Sequence, residues 1–189
     1  MHYSSLCHKI SDFINLEQED ISLIESLFIY GSVAKGTALI ESGKHTDKVF
    51  FILSGYLKYF KTIESGKQII IHLYAPGNFA TSLNSFFLGR LSDEVLQTIT
   101  ACEFLSISKS DLEKLYASDY KWQNFGRKLM ENFLIEKEER IIDQLSLAAQ
   151  DKYLKLLQRH PDIIQNVPVK FIASFIGIEP ESLSRIRKT

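Results

Sequence analysis

The apolar residues of this chain follow three successive patterns, and each pattern predicts a different kind of structure. Near the N-terminus they recur every three or four positions, as in Ile10, Phe13 and Ile14, and again from Ile21 to Phe28. This spacing is that of an amphipathic helix with one apolar face. Because a polar stretch at residues 15–20 interrupts it, we predict a lead-in helix or two short helices over residues 8–30.

From Val33 onward, short apolar runs alternate with glycines, which supply the positive φ that tight turns need. The glycines are Gly43, Gly55, Gly66 and Gly77, and the runs are residues 49–53, 56–60 and 69–74. Short strands separated at this interval predict an antiparallel β-sandwich or barrel. The run at 56–60 alternates around Lys58, which predicts a half-exposed strand. Residues 98–106 predict a further strand.

A helical pattern returns after residue 107. Ser108 or Ser110 could cap a short helix, and Glu113 has the capping-box spacing from Ser110. A longer helix over residues 120–147 carries two apolar stripes. The first stripe is Trp122, Phe125, Leu129 and Phe133, and the second is Met130, Leu134, Ile141 and Leu145.

Two stripes on one helix predict two buried contacts. We assign one to the β-structure and the other to a second copy of the same helix, because most soluble oligomers are two-fold dimers. The predicted dimer-helix residues are Phe125, Leu129, Phe133, Leu134 and Ile141. The alternative is that both stripes pack within one chain.

The C-terminal residues predict two helices joined by a glycine turn, after a helix over about residues 149–159. Pro168 suits the start of the first helix, and Gly177 suits its end, since glycine tolerates left-handed geometry. Pro180 then starts a second helix with Leu183 and Ile186 on its inner face. This order is that of a helix-turn-helix, whose second helix enters the major groove of DNA.

The outward residues of this unit suit DNA. Arginine can bind guanine O6 and N7 together, glutamate can accept from cytosine N4, and serine or lysine suits phosphate. The predicted DNA-binding residues are Lys170, Glu181, Ser182, Ser184, Arg185 and Lys188. The alternative is a helical hairpin with a solvated polar face.

Charge is distributed unevenly along the 189 residues, although the net charge is only −1. Residues 1–120 hold 10 basic and 14 acidic residues, a net charge of −4, whereas residues 121–189 hold 12 and 9, a net charge of +3. Such asymmetry is typical of a basic DNA-contacting end beside an acidic module, with ordinary variation as the alternative.

The sequence lacks the residue patterns of a catalytic, metal or cofactor site. Cys7 and Cys102 form no CxxC pair, and the five histidines have no ligand spacing, so His72 is predicted to be a packed core residue. A cupin-type metalloenzyme would need a close His-x-His pair, and no nucleophile motif is present. With no secretory signal and no apolar run of about 20 residues, we predict a cytoplasmic protein that is not an enzyme and does not contact membranes.

Taken together, these segments resemble the cyclic-AMP receptor protein/FNR (Crp/Fnr) family of bacterial regulators. The resemblance rests on ILSGYLKYF (52–60), GKQIIIHLYAPGNF (66–79), TACEFLSISKSDLEKL (100–115) and VPVKFIASFIGIEPESLSRIRK (167–188). It implies a jelly-roll sensor, a long helix that forms a homodimer, and DNA recognition by residues 180–188. Glu181 and Arg185 match positions that contact bases in the family, and RNA polymerase is an expected further partner.

The sequence departs from the family pattern at the nucleotide pocket. Members that bind cyclic AMP carry a glutamate where this chain has Ser82, and an Arg-Ser pair where it has Ser92 and Asp93. A cyclic phosphate would meet Asp93 and Glu94 with only Arg90 nearby, so we expect no tight cyclic-nucleotide binding. The alternative is a shifted alignment in which Arg90 binds phosphate.

The predicted effector pocket consists of Thr81, Ser82, Leu83, Arg90, Ser92 and Asp93, for an unknown small molecule. A second departure is that the helix-turn-helix has no hairpin wing, because the segment at 160–167 is too short for one.

The resulting prediction is an α+β protein with an antiparallel jelly-roll sensor at residues 1–119. A dimerisation helix follows at 120–147, and an all-α helix-turn-helix at 148–189. Its predicted function is that of a homodimeric transcription regulator that binds double-stranded DNA. The alternative is an effector-binding or protein-interaction module whose helix-turn-helix no longer reads DNA.

Overall fold

A computed structural model describes residues 2–187, in which antiparallel strands are enclosed by helices. The helices are α1 (Ser4–Ser11), α2 (Gln18–Leu27), α3 (Leu83–Leu88), α4 (Lys109–Ser118), α5 (Tyr120–Ser146), α6 (Ala149–Arg159), α7 (Pro161–Asn166), α8 (Val169–Ile176) and α9 (Pro180–Ile186). The strands are β1 (Ile29–Val33), β2 (Ala38–Ile40), β3 (Lys48–Ser54), β4 (Leu57–Thr62), β5 (Gln68–Tyr74), β6 (Phe79–Ala80), β7 (Val95–Thr98) and β8 (Cys102–Ser108).

The strands form two four-stranded antiparallel sheets, in the orders β1-β8-β3-β6 and β2-β7-β4-β5. Between them lies a core that includes Ile52, Leu57 and Leu96, none of which is exposed. The turn after β3 requires Gly55, whose φ is +87° and whose position leaves no room for a Cβ atom beside the Ala101 carbonyl. The predicted α+β class with an antiparallel roll is confirmed.

Several local predictions differ from the structure. The N-terminal pattern forms two short helices, and the strand predicted at 98–106 is two strands separated by a turn. Helices α3 and α7 were not predicted, since each has only six residues. Ser108, rather than Ser110, caps α4, because its hydroxyl accepts from the Asp111 backbone N–H at 3.1 Å.

Helix α5 packs along the roll through its N-terminal half. Trp122 is fully buried and Phe125 nearly so, in a core shared with Leu6 and Ile10 of α1. Gly126 permits this packing, since a Cβ there would collide with the Tyr116 side chain. The first predicted stripe therefore contacts the chain's own roll.

The C-terminal helices pack on the outer face of the second sheet. A single core joins Phe60, Ile70 and Leu73 of the sheet to Ile172 of α8 and Leu183 of α9. Gly177 ends α8 in the left-handed conformation, with φ +75°, as the sequence predicts. Pro180 lies in the first turn of α9, and Leu183 points inward with no exposed surface.

The prediction that Lys58 lies on an exposed strand face is wrong. Its side chain is only 6% exposed, because α8 covers this part of the sheet. The ammonium group lies 4.1 Å from the ring centre of Phe60 and 4.5 Å from that of Phe171, and it donates to the Gln68 side chain at 2.8 Å. Aromatic rings attract a cation in this position, which compensates part of its lost hydration.

Candidate functional site

The α8–turn–α9 unit presents a polar surface on the side opposite its core. Glu181, Ser184 and Arg185 are exposed on α9, and Ser182 is half-buried. Lys170 is exposed on α8, whereas Lys188 lies outside the described residues. Because Leu183 is fully buried in the core on the inner side of α9, the helix can present these side chains outward while it stays packed on the core. This arrangement suits contact with an extended, charged surface.

The second half of α5 presents an apolar row that the chain itself does not cover. Leu134 is 68% exposed, Ile141 61% and Leu145 84%, and the less exposed Met130 precedes them. Spacings of seven and four residues place Leu134, Ile141 and Leu145 at the d, d and a positions of one heptad repeat, as in a coiled coil, and Met130 flanks this seam. The exposed Glu138 occupies the seam position between Leu134 and Ile141.

The predicted dimer-helix residues divide between two surfaces. Leu134 and Ile141 lie on the exposed seam. Phe125 is buried in the chain's own core, Leu129 packs against that core, and Phe133 is half-buried. Phe125 therefore contacts the chain's own roll and leaves no surface for a second helix, contrary to the prediction, whereas Leu129 and Phe133 keep part of their surface exposed.

Inside the roll, a polar cluster joins two of the predicted pocket residues. The Ser92 hydroxyl lies 3.1 Å from that of Ser82, and both residues are buried. Glu94 completes the cluster, with a carboxylate oxygen 3.2 Å from the Ser92 hydroxyl and 3.0 Å from the Tyr59 hydroxyl, which donates to it. Burial, together with the Glu94 charge, raises the pKa of Tyr59 to about 12. The cluster thus already contains an anion of its own.

The other predicted pocket residues do not join this cluster. Arg90 and Asp93 are exposed, and Asp93 pairs with Lys61 at 3.0 Å. The Thr81 hydroxyl donates to the Lys48 carbonyl, and Leu83 begins α3. Sequence reasoning missed Tyr59 as a member, since it lies more than 20 residues before Ser82 and only the sheet brings it close.

A separate cavity of about 250 Å³ lies between the roll, α5 and the C-terminal helices. Thr81 and Leu83 line it, as do residues of α1, α4, α6 and α8. Its lining includes eight phenylalanines and two tyrosines: Phe13, Phe28, Tyr74, Phe79, Phe86, Phe87, Tyr116, Phe125, Phe133 and Phe175. The cavity was not predicted, because the residues that form it are far apart in the sequence. Most of them have the apolar character expected of an ordinary core residue.

Three basic side chains meet beside this cavity, where α5 passes β5 and α8. The Lys137 ammonium lies 3.5 Å from Nδ1 of His72, which lines the cavity. The Arg140 guanidinium donates to the Ile71 and Phe175 carbonyls and stacks 4.0 Å from the Phe175 ring centre. It therefore fastens α5 to both the sheet and the helix-turn-helix.

The environment of these groups disfavours their charges. Burial lowers the pKa of Lys137 to about 8 and that of Arg140 to about 10. Burial, with the nearby Lys137 and Arg140 charges, also holds the pKa of His72 well below its usual range, so the imidazole is neutral. The predicted packed role of His72 agrees with this placement.

Within residues 2–187, no group of three or more histidine, cysteine, aspartate or glutamate side chains is arranged to hold a metal ion. No helix in that part of the chain is long and apolar enough to span a membrane.

Comparison with known proteins identifies the roll. Residues 31–119 match the family model described as the cyclic nucleotide-binding domain. None of the curated protein sequences matches the chain.

Three solved structures share the fold at low sequence identity. FixK2 from Bradyrhizobium japonicum has a TM-score of 0.74 at 15% identity, over 86% of this chain and 83% of its own. The c-di-GMP-responsive regulator CLP from Xanthomonas campestris has a TM-score of 0.68 at 17% identity, over 91% and 90%. A Eubacterium rectale protein assigned to the Crp/Fnr regulators has a TM-score of 0.67 at 15% identity, over 92% and 82%. The predicted resemblance is confirmed, and at these identities it establishes the fold.

Proposed function

We propose that this chain, which has the fold of the Crp/Fnr regulators and a cyclic nucleotide-binding domain at residues 31–119, is a homodimeric, DNA-binding transcription regulator. Its units are the sensor at 1–119, the dimer helix at 120–147 and the helix-turn-helix at 148–189. The observation that carries the proposal is the placement of α9, which buries Leu183 and presents Glu181 and Arg185 outward.

Dimerisation supports the same function. Leu134, Ile141 and Leu145 form an exposed apolar row interrupted by Glu138, and a second α5 would bury this row. Two copies would then carry two α9 helices. Helices that read successive major grooves lie about 34–36 Å apart, so the target would be a palindrome.

The proposed mechanism is a population shift between two arrangements of the dimer. An effector held beside α5 would change how α5 and the helix-turn-helix sit on the roll, because Arg140 connects all three. The spacing of the two α9 helices would follow. Glu181 and Arg185 would then select the sequence, while Lys170 and Ser184 would bind phosphates.

Replacing Arg185 with alanine is expected to weaken binding to a palindromic operator by at least about 30-fold. A dimer would lose one base-specific contact in each half-site, two in all, and each contact contributes roughly 1–3 kcal/mol. The operator would be selected from a palindromic promoter library, and affinity would be measured by fluorescence anisotropy at low and high salt.

The matched control is Arg127→Ala, which removes the same charge from an exposed position on α5. It is expected to change affinity less than twofold. If no sequence in the library showed salt-sensitive binding, the proposal would be wrong. Unchanged binding by Arg185→Ala would favour an interaction module that contacts a protein partner instead.

We expect cyclic AMP to bind more weakly than a dissociation constant of about 1 mM, measured by calorimetry on the intact protein. The Glu94 carboxylate lies within the polar cluster of the roll, and Arg90 is directed to solvent, so a phosphate would meet like charge. Glu94→Gln serves as the comparison, since it removes the charge but keeps the shape. Saturable micromolar binding by the unaltered protein would contradict this prediction.

A further inference from the structure

The cavity beside α5 has the size and lining of a small-ligand site. An apolar cavity of about 150 Å³ accommodates benzene. The volume here is about 250 Å³, so by proportion it holds about ten non-hydrogen atoms. The phenylalanine and tyrosine rings of its lining are suited to an apolar ligand, and its lining residues come from the roll, α5 and the C-terminal helices.

Two cations, Lys137 and Arg140, lie behind the lining residues His72 and Phe175 at one end of the cavity. Neither Lys137 nor Arg140 forms an ion pair with a carboxylate among residues 2–187, although both are largely enclosed by protein. Glu136 lines the cavity and favours the charge of Lys137, but its side chain is exposed. The lysine that itself lines the cavity, Lys9, is paired with Asp12 at 3.5 Å. Enclosed cations without a counter-charge are unfavourable, and an anion placed among them would remove that cost.

The contacts show how such an anion would be reached from the cavity. His72, Phe133 and Phe175 line it. The Lys137 ammonium lies 3.5 Å from His72 Nδ1 and 4.9 Å from the Phe133 ring centre, and the Arg140 guanidinium covers the Phe175 ring. A ligand whose polar end touched His72 would therefore lie within reach of Lys137.

We infer that this cavity binds a small amphipathic carboxylate, with its apolar chain among the aromatic rings and its carboxylate at the His72–Lys137 end. The inference deepens the proposed function, on which it rests for treating the ligand as the effector. The site is distinct from the polar cluster around Ser92, where Glu94 already supplies a negative charge.

The probe for this inference is octanoate, whose ten non-hydrogen atoms match the volume of the cavity. By calorimetry on the full chain, we expect octanoate to bind with a dissociation constant of about 100 µM or tighter. 1-Octanol keeps the apolar chain but lacks the charge, and it should bind at least about tenfold more weakly. Equal affinity for the two compounds would overturn the assignment of the charged end.

Two variants locate the site. Lys137→Met keeps the apolar stem and should weaken octanoate binding at least about tenfold. The control Lys114→Met, at an exposed position of α4 outside the cavity lining, should leave it unchanged. Leu129→Trp adds a ring to the cavity wall and should also weaken binding, with its fold checked by circular dichroism. Unchanged binding in Lys137→Met, or no binding by the parent protein, would overturn the inference.

The two hypotheses can fail separately. DNA binding by a protein that does not bind octanoate would remove only the ligand assignment. Octanoate binding by a protein that recognises no DNA sequence would remove only the proposed function.

Discussion

Replacing Ile141 with glutamate is expected to convert the protein from a dimer into a monomer and to weaken operator binding by about 100-fold or more. Ile141 is 61% exposed at the centre of the α5 seam, so the change costs the single chain little. In a dimer, however, two further carboxylates would face each other across the seam, beside those of the two Glu138 side chains. Linking two DNA-binding units gains about 10²- to 10⁴-fold in avidity, which a monomer forfeits.

The measurements are light scattering for mass and fluorescence anisotropy for operator affinity. Asn132→Glu is the matched control, since Asn132 is exposed on α5 but lies on the other side of the helix from Met130 and Leu134. This variant should remain dimeric. A dimer that persists in Ile141→Glu would show that α5 is not the interface, and a monomeric parent protein would remove the proposed architecture.

The largest expected loss of stability is that of Trp122→Ala, about 3–5 kcal/mol in the free energy of unfolding. Trp122 has no exposed surface and packs edge-on against Phe125, so its removal leaves a cavity where α5 meets the roll. Among residues 2–187, its indole N–H has no hydrogen-bond partner, so Trp122 stabilises the fold through packing. A loss of this size is a large part of a typical domain's 5–15 kcal/mol.

Urea unfolding followed by circular dichroism would measure this loss, at fixed protein concentration because the proposed dimer would itself contribute stability. Tyr120→Ala is the control, since Tyr120 is 71% exposed two residues earlier and its loss should change stability by less than about 0.5 kcal/mol. Equal effects of the two substitutions would show that α5 does not pack on the roll as described.

The fold was predictable from the sequence wherever a local rule determines the structure. Gly55 and Gly177 mark turns because their φ angles are positive, and the apolar spacing around Leu183 fixes which side of α9 faces inward. The strand spacing alone is compatible with many antiparallel β-folds. The family resemblance then identified the roll and the order of the three units.

Predictions based on local alternation failed where a distant segment covers the surface. Lys58 alternates with apolar residues in β4, yet Phe171, more than 100 residues later, closes over it. The sequence pattern also grouped Phe125 with Ile141 as dimer-helix residues, because both are apolar positions of α5. In the structure Phe125 is buried against the roll, whereas Ile141 is exposed.

The site was predicted in part for a similar reason. Ser82 and Ser92 do meet, but Tyr59 and Glu94 complete their cluster through side chains that the alignment with the family does not identify. The meeting of His72, Lys137 and Phe175 depends on three elements far apart in the chain. No sequence pattern connects them.

The apolar core that joins Phe60 and Ile70 of the sheet to Ile172 of α8 has a thermodynamic consequence for switching. A swing of the helix-turn-helix away from the roll would wet these side chains, and the cost of their hydration would oppose it. In the proposed regulator, a signal at the roll would have to offset that hydration cost, either by covering the sheet with another surface or by weakening the contact between the sheet and α8. Such a switch would then depend on water as well as on direct contacts.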